Sequence, residues 1–495
     1  IKTVNPIPNE GTMWAIEHSG SDIGGTSAIR SLHQFITSAP KCRQLLLAQR
    51  APERDLTLQL TQSYHPTYDP LLLKAFQAKD YFLLVGPPGT GKTSMALQYM
   101  VREALAKGES ILLMSYTNRA VDEICGMLSD NAIDYIRIGN EYSCDERYRS
   151  HLLSEYIEIN PKLTAIRERI MGTHVIVGTT STLQSKSYLF EIKSFSMAII
   201  DEASQILEPN LVGLLSKLPK FILIGDHKQL PAVVQQEVND SAVHDKRLHD
   251  IKLTNCRNSL FERLIRVEEA AKRIDFVGVL RVQGRMHPAV AAFPNRIFYF
   301  KECLKPVPLS HQKETRLHYE LPSQDTLDDA LKTNRMLFIP SKTCRHSQLS
   351  DKVNPDEAHI VAILLGRIYR FYGNSFDADK TIGVIVPYRN QIAMIRKEIE
   401  KLGIKALEKI SIDTVERYQG SQRDVIIYSF TVQHRYQLDF LTANCFEENG
   451  HIIDRKLNVA VTRARKQMII TGNEMVLNQD PIFKELIASC ELGHL

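Results

Sequence analysis

Short aliphatic and β-branched runs alternate with amphipathic stretches along most of this chain, the pattern of a parallel sheet covered by helices. The pattern occurs twice. In the first half the runs are Tyr81–Val85, Ile111–Met114, His174–Val177, Met197–Ile200 and Phe221–Ile224, separated by helical segments such as Thr93–Ala106 and Asn210–Leu218. In the second half they are Phe276–Leu280, Met336–Ile339, Thr381–Val386, Ile410–Thr414, Asp424–Phe430 and Gln467–Thr471, with helices at Pro355–Tyr372 and Arg389–Leu402. This predicts an α/β chain with two tandem parallel-sheet domains, 69–272 and 273–495, joined near Arg273. At roughly 150 residues per domain the length allows about three units.

Residues 1–68 lack the alternation and read as a mostly helical or irregular accessory segment, with Pro52, Pro66 and Pro70 marking a linker. The polar stretch at about 128–172, helix-like at Pro161–Met171, is longer than a connection needs and reads as an insertion. Leu304–Asp351 is similar. The opening at Ile1, among turn-forming residues, points to part of a longer protein.

Charge changes this picture little: 61 basic against 57 acidic residues leaves +4, too weak a bulk field to gather nucleic acid. Any polyanion site must be a local groove. The eight cysteines, Cys344 among them, are scattered without a C-x-x-C pair, which argues for a reduced chain, cytoplasmic or nuclear, and against a zinc or iron–sulfur module. No apolar run approaches about 18 residues and no basic-then-apolar leader opens the chain, so membrane insertion and secretion are disfavoured.

The chemistry begins after the run Tyr81–Val85, with Gly86-Pro87-Pro88-Gly89-Thr90-Gly91-Lys92-Thr93 entering a helix. Its glycines let backbone N–H groups close around phosphates, Lys92 reaches the β- and γ-phosphates, and Thr93 offers a hydroxyl to Mg²⁺. Asp201 and Glu202, at the end of another apolar run, supply a metal-binding carboxylate and a group to accept a proton from attacking water. Two arginine-bearing segments, Gln283–Pro288 and Val461–Arg465, are candidates to neutralise a developing phosphoryl charge.

With these residues in this order, the sequence from about 70 to 475 resembles the superfamily 1 helicases, in particular their 5′-to-3′ branch. The resemblance implies two RecA-like domains with helical accessory insertions. It makes Gly86–Thr93 motif I, Ser115–Asp122 motif Ia, Asp201–Ser204 motif II, Gly225–Pro231 motif III, Val386–Gln391 motif IV, Asp413–Asp424 motif V and Leu457–Arg465 motif VI. By the same resemblance Gln229 senses the γ-phosphate and positions water, Arg285 and Arg463 are arginine fingers, and Gly420 and Gln422 lie against the nucleotide.

Strand contacts fall to Thr117, Asn118, Thr180, Ser181, Pro387, Tyr388 and Thr414, mostly small donors that bond phosphate or ribose without reading bases. These hydroxyls also suit helix caps, and an aromatic after a strand, such as Tyr388, is more often packed against its own domain. The insertion at 128–172 is expected to form a small helical subdomain over the nucleic-acid channel.

Three positions depart from the family. Asp69 or Pro70 stands where a glutamine reads adenine, with Gln77 nearer the phosphate loop; Gly284 stands where a tyrosine stacks on the base; Gln422 stands for glutamate. Lower or less base-specific nucleotide affinity is expected. The function implied is an ATP- and Mg²⁺-dependent monomeric helicase or translocase on single-stranded DNA or RNA, with no membrane partner. An ATP-gated clamp or scaffold without net unwinding is the alternative, and an oligomeric AAA-type ATPase is a third reading.

Overall fold

The strand Tyr81–Val85 (β1) is apolar along its whole length and buried on both faces, as a strand covered by helices on either side must be. The computed structural model describes residues 23–317, 319, 321–343 and 350–494. The first part of the accessory segment, 1–22, and Cys344 lie outside the described residues.

The first sheet contains β1, β2 (Ile111–Ser115), β3 (Ile136–Ile138), β4 (Val175–Thr179), β5 (Met197–Ile200), β6 (Phe221–Gly225) and β7 (Val277–Val279). Their order is β3-β4-β2-β5-β6-β1-β7, parallel throughout. Two short strands follow, β8 (Val282–Gln283) and β9 (Lys305–Pro306), paired with each other.

The second sheet is built from β10 (Met336–Pro340), β11 (Ile382–Val386), β12 (Ser411–Thr414), β13 (Arg423–Ser429), β16 (Ala464–Gly472) and β17 (Glu491–Leu492). Its order is β12-β11-β13-β16-β10-β17, again parallel. Between β13 and β16, a separate antiparallel hairpin is formed by β14 (Cys445–Glu448) and β15 (His451–Asp454). The two tandem parallel-sheet domains expected from the alternation are both present.

Three expectations need correction. The run at 276–280 belongs to the first sheet, because Leu83–Val85 pair with Val277–Val279. The join therefore falls after Leu280 rather than at Arg273. A short apolar strand carries no mark of which sheet edge it will complete.

The polar stretch 128–172 is not a free-standing helical subdomain. Its β3 forms the sheet edge beside β4, and Arg137 at the centre of β3 is buried with its guanidinium bonded to Asp122.

The segment read as a linker is pinned to the first domain: Arg50 pairs with Asp80 at 2.5 Å, and Thr61 and Tyr64 both donate to Glu103. Ahead of it, α1 (Ile23–Thr37) docks where the Ser31 hydroxyl accepts from the Gly213 N–H at 2.8 Å, and α2 (Pro40–Leu46) buries Leu45 and Leu46 in the first core. Among the described residues no helix is long and apolar enough to cross a membrane.

Candidate nucleotide and nucleic-acid sites

Strands β5, β6 and β1 are neighbours, so the loops leaving their carboxyl ends meet. Those loops carry Asp201–Glu202, Gly225–Gln229 and Gly86–Thr93, and the end of a parallel sheet is where such folds bind ligands. At Gly86 an added Cβ would lie 2.1 Å from Lys92 Cγ, so glycine is what lets the lysine fold back over the loop. Lys92 Nζ then reaches Glu202 at 3.4 Å, and the Thr93 hydroxyl donates to Asp201 Oδ2 at 2.6 Å. Glu202 adopts a left-handed backbone, φ 52°, a local strain that turns its side chain toward Lys92.

The charges are set by burial and by one another. Burial works against the Lys92 ammonium, but Glu202, Asp226 and Asp201 outweigh it and hold its pKa above the usual lysine value. Burial and the neighbouring Glu202 raise Asp201, whereas Glu202 is lowered because Lys92 and Gln205 outweigh its own burial. Thr93 and Asp201 are hard oxygen donors held together, a set that suits Mg²⁺, which takes few protein ligands alongside water and phosphate oxygens.

The second domain presents the opposite ends of its strands. Gln422 and Arg463 immediately precede β13 and β16, and Arg423 pairs in register with Ala464, so both face the first sheet. Arg463 Nη2 donates to Gln229 Oε1 at 2.7 Å, and Arg285 Nε donates to Gln422 Oε1 at 2.9 Å. Burial pulls Arg285 down to about 10, and burial with the Arg285 charge pulls Arg463 down to about 9. The two guanidiniums and Lys92 supply the positive charge of this region, and Glu202, Glu123 and Asp226 act on them in return.

The domains also touch directly at Gly89, whose carbonyl accepts from the Gly284 N–H at 2.8 Å. Gly89 has φ +74°, and an added Cβ would sit 2.4 Å from Arg285 Cβ, so only glycine admits this approach. Between the domains lies a cavity of about 700 Å³, lined by the phosphate loop, Tyr68, Glu123, Arg285, Leu309 and Gln422 among others. Of the phosphate-side residues expected from the sequence, Gly89–Thr93, Arg285 and Gln422 line this cavity, while Glu202 and Asp201 reach it through Lys92 and Thr93, and Gln229 meets Arg463.

Comparison with known proteins agrees with this geometry. Residues 256–475 match one sequence family and residues 69–168 and 146–237 another, both described as AAA domain. The DNA replication ATP-dependent helicase/nuclease DNA2 of Xenopus laevis is 29% identical over 466 residues, covering 91% of this chain and 41% of that protein. The chain belongs to the superfamily 1 helicases.

The Arabidopsis thaliana helicase/nuclease JHS1 is 29% identical, covering 84% of this chain and 29% of the relative, and human DNA2 is 28% identical with 84% and 37% covered. This superfamily 1 chain thus spans less than half the length of these relatives. Among solved structures, the helicase nonstructural protein 10 of Arterivirus in complex with DNA aligns with TM-score 0.41 and 15% identity, over 83% of this chain and 63% of that one.

The candidate strand contacts of this superfamily 1 chain lie at carboxyl ends too. Ser115 pairs with Thr179 across β2 and β4, which brings Thr117, Asn118, Thr180 and Ser181 into neighbouring loops; Val386 pairs with Thr414, which does the same for Pro387 and Tyr388. Thr117 is exposed and caps α5 (Asn118–Asp130), accepting from the Ala120 N–H, and Ser181 is exposed.

Tyr388 is corrected as a free stacking platform: it is 8% exposed and its ring stacks on Phe440 at 5.1 Å. Packing against its own domain wins because Phe440 offers a second aromatic face. Thr180 and Thr414 are likewise largely buried.

Several site residues escape sequence reading. Tyr299 donates to Asp226 at 2.7 Å and accepts from Asn458 at 2.8 Å, and Asn458 also donates to the Lys228 carbonyl. Lys228, fully buried, reaches Glu302 at 2.9 Å and Glu448 of the β14–β15 hairpin at 2.8 Å. Leu230 packs in the second domain's core. The motif III loop of one domain is therefore embedded in the other. Tyr299 sits in an apolar run that reads as core, and nothing local marks its hydroxyl.

Proposed function

We propose that this chain couples ATP hydrolysis in the interdomain cleft to movement along single-stranded nucleic acid. The observation that carries the reading is that Arg285 and Arg463 of the second domain meet the phosphate loop, Glu202 and Gln229 of the first within one chain. An oligomeric ATPase that borrows its arginine from a neighbouring subunit has no need of this arrangement, which supports a self-sufficient monomer.

In this reading Gly86–Thr93 hold the triphosphate, and Thr93 with Asp201 hold Mg²⁺, which neutralises phosphate charge when bound. Glu202 takes the proton of the attacking water while Gln229 orients that water. Arg285 and Arg463 stabilise the charge that spreads onto the γ-phosphoryl oxygens, and Gly420 and Gln422 lie toward the nucleotide.

Coupling follows the contacts. Arg119, at the start of α5 in motif Ia, donates to the Ser421 hydroxyl at 2.8 Å in the motif V loop, and Arg463 donates to the Ser421 carbonyl. A change of nucleotide state that shifts the arginines therefore pulls on loops proposed to grip the strand. The relatives' names as DNA replication helicase/nucleases support DNA as the track, and the family resemblance supports 5′-to-3′ movement.

The test is steady-state ATP hydrolysis with no polymer, single-stranded DNA or single-stranded RNA, using Lys92→Ala as the blank, followed by strand displacement on duplexes with a 5′ or a 3′ overhang. Polymer-stimulated turnover with displacement from the 5′ overhang is expected. Stimulated turnover without displacement from either would instead identify a clamp.

A further inference from the structure

Building on the nucleotide-site reading above, we propose that the cleft accepts nucleoside triphosphates with little regard to the base, taking GTP, CTP and UTP alongside ATP. The phosphate end of the cavity is rich in fixed charge, whereas its far end is walled by His65, Thr67 and Tyr68 on one side and by Gly284, Val307 and Leu309 on the other. A base entering there meets mostly apolar or already satisfied groups.

The polar side chains that stand nearby in sequence are spent elsewhere. Asp69 accepts from the Ser63 hydroxyl and from the Tyr64 and His65 N–H groups, which fixes the start of α3 (Asp69–Gln77). Gln77, 6% exposed, accepts from Arg54 and donates to the Leu58 carbonyl. Neither lines the cavity.

Within the lining, the Tyr68 hydroxyl donates to the Thr90 carbonyl at 3.0 Å, Gln422 accepts from Arg285, and Glu123 pairs with Arg119 at 3.8 Å. His65 Nδ1 accepts from the Thr67 N–H. The Thr67 and Ser94 hydroxyls both donate and accept, so they do not tell an amino from a carbonyl edge, which leaves His65 Nε2 and the Gln422 amide as the two side-chain donors a base could meet.

The Gly284 side repeats the point. Its missing side chain leaves no ring to stack, and a Cβ there would meet Leu309 Cδ1 at 3.2 Å, so the aliphatic side chain of Leu309 stands in that space. Apolar walls discriminate between ligands of similar shape by only about 10–200-fold, whereas a site that hydrogen-bonds a specific group rejects its absence by about 10⁴-fold or more. The affinity common to all four nucleotides comes from the phosphate loop and the arginines.

The experiment compares kcat/KM for ATP, GTP, CTP and UTP with Mg²⁺ on the wild-type chain, and in parallel the displacement of fluorescent mant-ATP by each unlabelled nucleotide. The expected result is a spread of no more than about 200-fold, the range of an apolar wall. A preference for ATP above roughly 200-fold, more than an apolar wall supplies, overturns the proposal and assigns adenine reading to His65, Gln422 or the backbone of 65–68.

If no nucleotide is turned over, the hydrolysis reading fails, while displacement still decides the base question: equal displacement by all four supports it, and displacement by ATP alone overturns it. Absence of mant-ATP binding overturns both. Gly284→Tyr, and Leu309→Tyr should the first variant fold poorly, supply a ring and are expected to raise the ATP-to-UTP ratio of kcat/KM several-fold, roughly the worth of one aromatic stack. An unchanged ratio in a folded variant would remove these residues as the base wall.

Discussion

Arg463, on the last turn before β16, donates to Gln229 of the first domain at 2.7 Å, and Gln229 in turn donates to Asp226 at 2.8 Å. This chain of bonds joins the two domains at the point where a γ-phosphate is expected to lie. Arg463 looks like an ordinary surface arginine in the sequence, and only the fold brings it to Gln229. Arg463 is buried and Arg285 half-buried, and the Arg285 charge adds to burial in holding Arg463 below the usual arginine value.

Arg463→Ala and Arg285→Ala are each expected to lower kcat by roughly 10³–10⁵, the usual worth of an arginine that neutralises a phosphoryl transition state. Mant-ATP titration beside steady-state kinetics checks this, since binding should suffer far less than turnover. Specific activity should also stay constant on dilution, because both arginines come from the same chain.

Lys92→Ala is expected to abolish both binding and turnover, and Glu202→Gln to abolish turnover while retaining nucleotide. The difference follows from position: Lys92 sits where the phosphates bind, whereas Glu202 is proposed to act only on the attacking water, a contribution of about 10²–10⁴ for a general base. A single-turnover assay with filter-bound ATP separates the two outcomes.

Lys228→Ala tests the embedding of motif III. The ammonium is fully buried between Glu302 and Glu448, and its removal takes the buried cation from Glu302, while Glu448 keeps Lys301 at 3.2 Å. A loss of about 3–5 kcal/mol is expected, read as a lowered melting temperature of the intact chain. A melting temperature equal to wild type would mean that the hairpin does not clamp the loop.

Glu357 carries a pH signature. Burial pushes its carboxyl up to about 7, against the hydroxyls of Ser429 and Ser341, the Thr431 N–H and the Asn354 amide that donate to it. The folded state thus holds this proton more tightly than the unfolded chain. Its contribution is complete below the ordinary glutamate range and is lost as pH rises toward 7, an effect of about 3 kcal/mol. Asp454, also raised to about 7 by burial, acts in the same window. Melting temperatures between pH 5 and 8 are expected to fall less in Glu357→Gln than in wild type.

The phosphate loop, the Asp201–Glu202 pair and the strand runs were legible because each is a local statement: a glycine-rich turn between apolar strand and helix, or two carboxylates at a strand end. Boundaries were legible where the apolar pattern was unbroken, as in the short strand Met197–Ile200 and the long helix Pro355–Tyr372. The helix after the loop begins instead with a π-helical turn at Lys92–Leu97, which periodicity does not reveal. Asp69, the aligned counterpart of an adenine reader, could be doubted from sequence, but only its bonds to Ser63, Tyr64 and His65 show why it cannot serve.

The sequence by itself determined the α/β class, the order of the motifs and the identity of the phosphate-binding chemistry, because those depend on neighbours within a few residues. Tertiary structure decided the rest: that Val277–Val279 complete the first sheet, that Tyr388 stacks on Phe440, that Lys228 is enclosed by Glu302 and Glu448, and that Leu309 stands beside Gly284. Each of these contacts joins groups far apart in the chain or on different elements. Which partner a side chain or a strand edge finds is set by the packing of the whole, since burial rewards whichever apolar face or opposite charge the fold brings within reach.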